Sequence, residues 1–149
     1  MATIASMLNK IKSVDISTIA IASILETKET IGDLNIEQMN KGLRSDGSEI
    51  LPSYSDLTIQ IKKEKGQPTD RVTLKDTGSF YEGVKVNISG EKIDITSTDE
   101  KTAKLNKKYS KSKGNIFGLS DKFKREYLNE KQRPSFKKKV ELATGLKMK

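Results

Sequence analysis

The apolar residues of the first forty positions follow the spacing of α-helices. A short amphipathic segment comes first, and a longer segment follows it toward Met39. Asp15 or Ser17 can cap the longer segment, because a short side-chain oxygen at that position accepts hydrogen bonds from free backbone amides. Gly42 is a suitable end for the helix, since glycine readily takes the left-handed conformation found there.

The long segment is apolar on more than one side, because Ile21 and Leu25 sit off its main stripe. One interpretation buries the helix under a sheet. The other makes it a subunit interface, whose candidate residues are Ile16, Ile21 and Leu25. The most apolar stretch runs over residues 16–25 and contains hydroxyl side chains, so it is too short to span a bilayer and no membrane partner is expected.

Residues 84–97 carry the clearest strand pattern of the chain. Two runs of alternating apolar and polar residues flank the pair Gly90–Glu91, which predicts a β-hairpin with one buried face. The apolar positions of the two runs are Val84, Val86, Ile88, Ile93 and Ile95.

Helices are predicted on both sides of the hairpin. Ser55 ahead of Asp56 favours a helix start, although residues 58–61 would also tolerate a strand. After the hairpin, Thr98 and Ser120 can each cap a helix.

The last helix is predicted to start at Arg133 and Pro134, because proline is well placed at the first helical position. Phe136 belongs to its apolar face, and Gly145 is expected to stop it. All segments together predict an α+β fold in one domain, with a long N-terminal helix and C-terminal helices packed on a small antiparallel sheet. The N-terminal helical segment covers residues 1–42, and the α+β core with its basic helices covers residues 43–149.

The composition narrows the range of possible chemistry. The 149 residues include no cysteine and no histidine, which excludes disulfides, thiol nucleophiles, the usual zinc sites and a Ser-His-Asp triad. The sequence contains no phosphate loop, dinucleotide fingerprint or calcium loop. We therefore expect a protein that is not an enzyme and needs no cofactor or metal. A charged fraction of 32% is ordinary for a surface-rich assembly subunit.

Charge is distributed unevenly along the chain. Residues 1–100 carry 12 Lys/Arg against 16 Asp/Glu, a net −4, whereas residues 101–149 carry 16 against 4, a net +12. Such asymmetry indicates nucleic acid, an acidic partner surface or neighbouring subunits of opposite charge. The candidate interface lysines are Lys107, Lys108, Lys111, Lys137, Lys138 and Lys139.

The aromatic residues between these lysines have two interpretations. Tyr109, Phe117 and Tyr127 could stack on bases while the lysines neutralise phosphates, which would give sequence-independent binding. Alternatively, the aromatic residues belong to the core and the lysines form a solvated face, and this second interpretation is favoured.

Asp76-Thr77-Gly78 matches the tripeptide of aspartic proteases, in which paired carboxylates activate water. Such a site requires an apolar strand running into the aspartate, and Lys75 interrupts it. The favoured interpretation is a structural turn at Thr77–Gly78, where glycine supplies backbone freedom.

Two spaced motifs resemble a known family. Leu74-x-x-Thr77-Gly78-x-Phe80-x-x-Gly83-Val84 precedes the hairpin, and Arg133-Pro134-Ser135-Phe136 follows some fifty residues later. The pattern resembles the tail-completion and virion-morphogenesis proteins of tailed bacteriophages. The stretch from Lys41-Gly-x-x-Ser-Asp-Gly47 through Ile116-Phe117-Gly118-Leu119 is similar to proteins of phages and prophages from Bacteroidetes bacteria, and the resemblance covers roughly residues 40–145.

This resemblance implies an α+β subunit made in the host cytoplasm and built into the virion. Several copies would form a ring that joins the head connector to the tail, in contact with other neck or tail proteins and with possible non-specific contact to genomic DNA. The charge asymmetry would let the negative face of one copy meet the positive face of the next. The alternatives are a sequence-independent nucleic-acid-binding protein and, more distantly, a dimeric aspartic protease around Asp76.

Overall fold

The computed structural model describes residues 3–111 and 114–147. Its elements in chain order are α1 (Ile4–Ser13), α2 (Ile16–Asn40), α3 (Asp56–Glu64), α4 (Ser79–Glu82), β1 (Val84–Ser89), β2 (Lys92–Ser97), α5 (Thr102–Tyr109), α6 (Asp121–Tyr127), a π-helical segment (Leu128–Gln132) and α7 (Arg133–Thr144). The fold is therefore α+β, with a long N-terminal helix and one antiparallel hairpin, as predicted. No helix within the described ranges has both the length and the apolar character needed to cross a membrane.

The ends of α2 are set by local chemistry, as the sequence indicates. Asp15 accepts a hydrogen bond from the Thr18 backbone N–H at 3.2 Å and another from the Thr18 hydroxyl at 2.8 Å. This is the N-cap arrangement that satisfies the free amides of a first turn. At the other end the chain leaves the helix through Gly42, whose φ is +75°.

The helix start predicted at Ser55 is also confirmed. Its hydroxyl accepts a hydrogen bond from the Thr58 backbone N–H at 3.3 Å, and residues 56–64 form α3. The alternative of a strand over residues 58–61 is wrong.

The hairpin has the predicted register and turn. β1 pairs antiparallel with β2 from Val84 opposite Ser97 to Ser89 opposite Lys92, around a two-residue turn in which Gly90 has φ +59°. Val86 is buried on the face that packs against α2.

The buried side chains form two clusters. The first contains Met39, Ile50, Val72, Leu74, Phe80, Tyr109 and Ile116. The second contains Ile31, Leu34, Val86, Leu119, Phe123 and Tyr127. Because α2 supplies residues to both, the segment over residues 1–42 shares its core with the rest of the chain.

Two amide side chains of α2 hold the segment between these clusters. The Asn35 side chain donates to the Ile116 carbonyl at 3.0 Å and accepts from the Gly118 N–H at 2.9 Å. The Gln38 side chain donates to the Gly118 carbonyl at 2.8 Å and accepts from the Ser120 N–H at 2.7 Å. Both side chains are fully buried, so they replace the water that this irregular backbone would otherwise need.

Thr98 does not cap a helix, which corrects one prediction. The Lys101 N–H donates instead to the Asp99 carboxylate at 2.7 Å, and α5 begins only at Thr102. The Thr98 N–H donates to the Gly83 carbonyl at 2.9 Å, so residue 98 still belongs to the end of the hairpin.

The helix start predicted at Arg133 and Pro134 is confirmed, with Pro134 in the first turn of α7. α7 begins at Arg133 and carries the half-buried Phe136, but the backbone stays helical from α6 through the π-helical segment into α7. Proline inside an α-helix lacks an N–H and clashes with the carbonyl four residues earlier. The wider π turn, in which the Arg133 N–H donates to the Leu128 carbonyl, accommodates Pro134 without a break.

Candidate functional site

The chain turns at Thr77–Gly78, directly before α4. Gly78 has φ +98°, a conformation that L residues with a side chain rarely adopt. The Thr77 hydroxyl accepts a hydrogen bond from the Ser79 N–H at 3.4 Å and donates to the Ser79 hydroxyl at 3.1 Å. Gly83 then approaches the end of β2 closely, because a Cβ there would lie 3.0 Å from the Thr98 backbone nitrogen. The two glycines of the motif therefore serve the bend into the hairpin.

Asp76 lies between two lysines rather than beside a second carboxylate. Its Oδ1 is 2.5 Å from the Lys65 Nζ, and its Oδ2 is 3.6 Å from the Lys101 Nζ. The hydrogen bond from Lys65 lowers the pKa of the Asp76 carboxyl, with further lowering by the charges of Lys65 and Lys101. An aspartic protease needs two carboxylates that share a proton. The neighbours of Asp76 instead keep it ionised, so this turn does not provide that chemistry within one chain.

The contact between Asp76 and its two lysines predicts that the stability of the fold depends on pH. Because the folded pKa of Asp76 lies below its ordinary 3.8, the contact stabilises the fold above that pH, and the contribution is lost as the pH falls through the lowered value. An Asp76→Asn variant should be less stable than the wild type at neutral pH, and the difference should vanish in acid. Urea unfolding midpoints measured across this range check it. A difference that persisted unchanged to about pH 2 would contradict the role of the ionised carboxylate.

A cavity of about 460 Å³ lies beside this turn, between α3, α5 and the Thr77–Gly78 turn. Lys62 of α3 contributes to its wall and is only 7% exposed. The Lys62 Nζ donates to the Lys75 carbonyl at 2.6 Å and to the Gln67 side-chain oxygen at 3.2 Å. This residue could not be identified from the sequence, because nothing in the lysine-rich end of an amphipathic helix marks one lysine as buried.

The two groups of candidate lysines lie on different parts of the molecule. Lys107 and Lys108 are exposed on α5, which packs on the first core cluster through Leu105 and Tyr109, and Lys111 follows it. The other group lies on α7, which packs on α1 and α2. Of that group, Lys137 and Lys138 are exposed and Lys139 lies 3.3 Å from Glu26 of α2. The structure thus shows two separate basic surfaces.

Of the three aromatic residues between the lysines, two are buried and the third is partly buried. Tyr109 and Tyr127 are each 6% exposed, and Phe117 packs against the first core cluster. The Tyr127 hydroxyl also hydrogen-bonds Thr27 of α2 at 2.7 Å. Their position agrees with the interpretation of these rings as core residues.

The Arg133-Pro134-Ser135-Phe136 segment joins α7 to its surroundings. The Arg133 guanidinium donates to the Asn129 side chain at 2.7 Å, and the Ser135 hydroxyl donates to the Glu26 carboxylate at 2.5 Å. The Ser135 hydrogen bond is the main cause that lowers the pKa of Glu26, followed by the contact with Lys139. The motif therefore anchors α7 on α2.

Large aliphatic side chains are exposed at the end of the molecule built by α1, α7 and the first half of α2. Ile16 is 49% exposed and Leu25 47%, while Ile21 is half-buried in a recess between α2 and the tip of the hairpin. Within the described ranges, eleven large aliphatic side chains are largely exposed. Six of them lie on these three helices, namely Ile4, Leu8, Ile11, Ile16, Leu25 and Leu142.

In residues 3–111 and 114–147, no three acidic side chains come together as a metal ion would require. Comparisons with known proteins give no match to this chain among protein-family models, curated proteins or solved structures.

Proposed function

We propose that this chain is a structural subunit of a tailed-phage particle, of the neck or tail-completion kind that its motifs resemble. In this role it forms an oligomeric ring with further copies of itself, contacts other neck or tail proteins and carries out no catalysis. The observation that carries the proposal is the concentration of exposed aliphatic side chains on α1, α2 and α7.

Soluble monomers commonly expose single aliphatic side chains, but concentrations of them mark contact surfaces. Ile4 and Leu142 are 78% and 77% exposed, more than any other large hydrophobic side chain in the described ranges. α1 contacts α7, so the two helices that carry these side chains lie together. A neighbouring subunit would bury this area and gain the hydrophobic free energy that the isolated chain leaves unused.

Charge supports association at the same end. Lys137 and Lys138 remain exposed on α7, and Lys137 to Lys139 follow one another in the helix that faces α2. Glu26 of α2 already pairs with Lys139 within the subunit. In a ring, the remaining lysines can meet acidic side chains of the next copy, which would orient the two subunits more than it would tighten them.

The molecular mass of the particle in solution should rise with protein concentration until it reaches that of a closed oligomer. Sedimentation velocity and native mass spectrometry measure it. The triple variant Leu8→Lys, Ile16→Lys, Leu142→Lys should remain monomeric. Each buried ammonium costs several kcal/mol, so association should weaken by at least about 100-fold. The matched control is Leu57→Lys on α3, which is 68% exposed and lies away from these helices. It should assemble like the wild type.

A wild-type chain that stays monomeric at every concentration, in the presence of its virion neighbours as well, would overturn the proposal. Labelling of purified particles with an antibody against the chain should mark the junction of head and tail.

Duplex-DNA titrations test the alternative role of a nucleic-acid-binding protein. Binding that survives physiological salt would favour a nucleic-acid-binding protein, because weak phosphate contacts are lost steeply with salt.

A further inference from the structure

The Lys62 ammonium is buried without a carboxylate partner. An ammonium has three N–H donors. Two of the three donate to the Lys75 carbonyl and the Gln67 amide oxygen, and the Tyr54 ring centroid lies 4.8 Å from the Nζ. Within the described ranges, no salt bridge includes Lys62, and its charge is met by these two oxygens and the Tyr54 ring. A buried charge is unfavourable unless it is paired, so this position favours an incoming anion.

The cavity beside Lys62 carries a surplus of positive charge. Four lysines line it, Lys62, Lys65, Lys75 and Lys101, against the single carboxylate of Asp76. Asp76 occupies Lys65 and Lys101 with its two oxygens. The volume of the cavity, about 460 Å³, falls within the range of small-ligand pockets, roughly 300–1,000 Å³.

Part of the wall is apolar. Leu74, Phe80 and Tyr109 are 7%, 4% and 6% exposed, and Leu105 packs beside them. Leu74 has φ +61°, a left-handed conformation that costs free energy in a residue with a side chain. Such strain tends to persist where it shapes a site. The cavity thus combines an ammonium that has no carboxylate partner with an apolar region of wall.

We propose that this cavity binds an organic carboxylate attached to an apolar body. The Lys62 ammonium contacts the carboxylate, and Leu74, Phe80 and Leu105 contact the apolar body. Asp76 is a carboxylate with one lysine near each oxygen, so two lysines of this wall already pair with that kind of anion. The ligand is either a free organic acid or the carboxylate of a partner peptide, which share this chemistry. The proposal does not depend on the assembly role above.

Nuclear magnetic resonance titration of the full chain with hexanoate tests the proposed carboxylate site. Hexanoate should shift the backbone amides of residues 62–67 and 74–79. Hexanamide, which lacks the charge, and acetate, which lacks the body, should each bind at least about 10-fold more weakly, and inorganic phosphate should behave like acetate. Equal binding of hexanoate and hexanamide, or no shifts with hexanoate, would overturn the proposal.

Two variants assign the contact to the cavity. Lys62→Met should weaken hexanoate binding at least about 10-fold, whereas Lys63→Met, the exposed neighbour on α3 outside the cavity, should leave it unchanged. Asp76→Asn keeps the buried wall intact and frees Lys65 and Lys101, so it should tighten hexanoate binding several-fold. This variant decides the matter if Lys62→Met fails to fold. Unchanged or weaker binding in Asp76→Asn would contradict the proposal.

A peptide arm separates the two sources of the carboxylate. N-acetyl-Gly-Leu with a free terminal carboxylate is compared with hexanoate and with its own amide. Binding at least about 10-fold tighter than hexanoate, lost in the amide, assigns the site to a peptide chain end, and weaker binding than hexanoate assigns it to a free organic acid.

Discussion

Replacing Asn35 with leucine should lower the free energy of unfolding by about 3–5 kcal/mol, because two buried backbone groups would lose their partners at about 1–3 kcal/mol each and the segment would also lose its position. The groups concerned are the Ile116 carbonyl and the Gly118 N–H, which bond the Asn35 side chain at 3.0 Å and 2.9 Å. Leucine is similar in size, so the effect comes from the lost hydrogen bonds. Urea denaturation followed by circular dichroism gives the value.

The matched control is Asn40→Leu at the exposed end of the same helix. Its side chain forms no hydrogen bond within the described ranges, so the change should stay within about 0.5 kcal/mol. If Asn35→Leu cost no more than Asn40→Leu, the segment over residues 115–120 would be held by its apolar contacts alone. The prediction that the two buried amide side chains hold this segment would then be wrong.

Phe123→Ala should cost about 3–5 kcal/mol, the range for truncating a buried aromatic ring. Phe123 is 1% exposed and packs in the second core cluster, where α6 meets α2 and the hairpin. The Lys41 and Lys122 ammonium groups lie 5.2 Å and 5.9 Å from its ring centroid, so the variant also loses two cation–π contacts. The loss is a large share of a total stability of about 5–15 kcal/mol, and thermal and urea unfolding measure it.

Leu128→Ala is the control for this variant, in the same continuous helical run. Leu128 is 39% exposed, so its truncation should cost less than half as much as that of Phe123. Equal losses for the two variants would indicate that Phe123 is not the centre of the second cluster.

Much of the secondary structure could be predicted because its causes are local. Asp15 caps α2 through Thr18, three residues away, and Gly145 ends α7 with φ +71°. The hairpin follows from an alternation that continues on both sides of Gly90. Thr98 was misjudged because its local preference for a helix cap is overridden by a hydrogen bond from its N–H to the Gly83 carbonyl.

The candidate site was predictable only in part. Asp76-Thr77-Gly78 is visible as a motif, and the glycine does supply the bend. Nothing in the sequence around this motif indicates that Lys65 and Lys101, eleven and twenty-five positions away, contact the aspartate. The lysines of α5 and α7 are visible as charges, but their separation onto two surfaces depends on how the helices pack.

Most of the helices, the hairpin, the caps at Asp15 and Ser55 and the uneven charge could be read from the sequence, because they depend on residue types and on neighbours within a few residues. Only the tertiary structure decided which polar groups are buried. Asn35 meets Ile116 across 81 positions, and Lys62 meets Lys75 across 13. Such contacts depend on packing among elements distant in sequence, which periodicity does not encode. The same packing leaves aliphatic side chains of α1 and of the first half of α2 exposed.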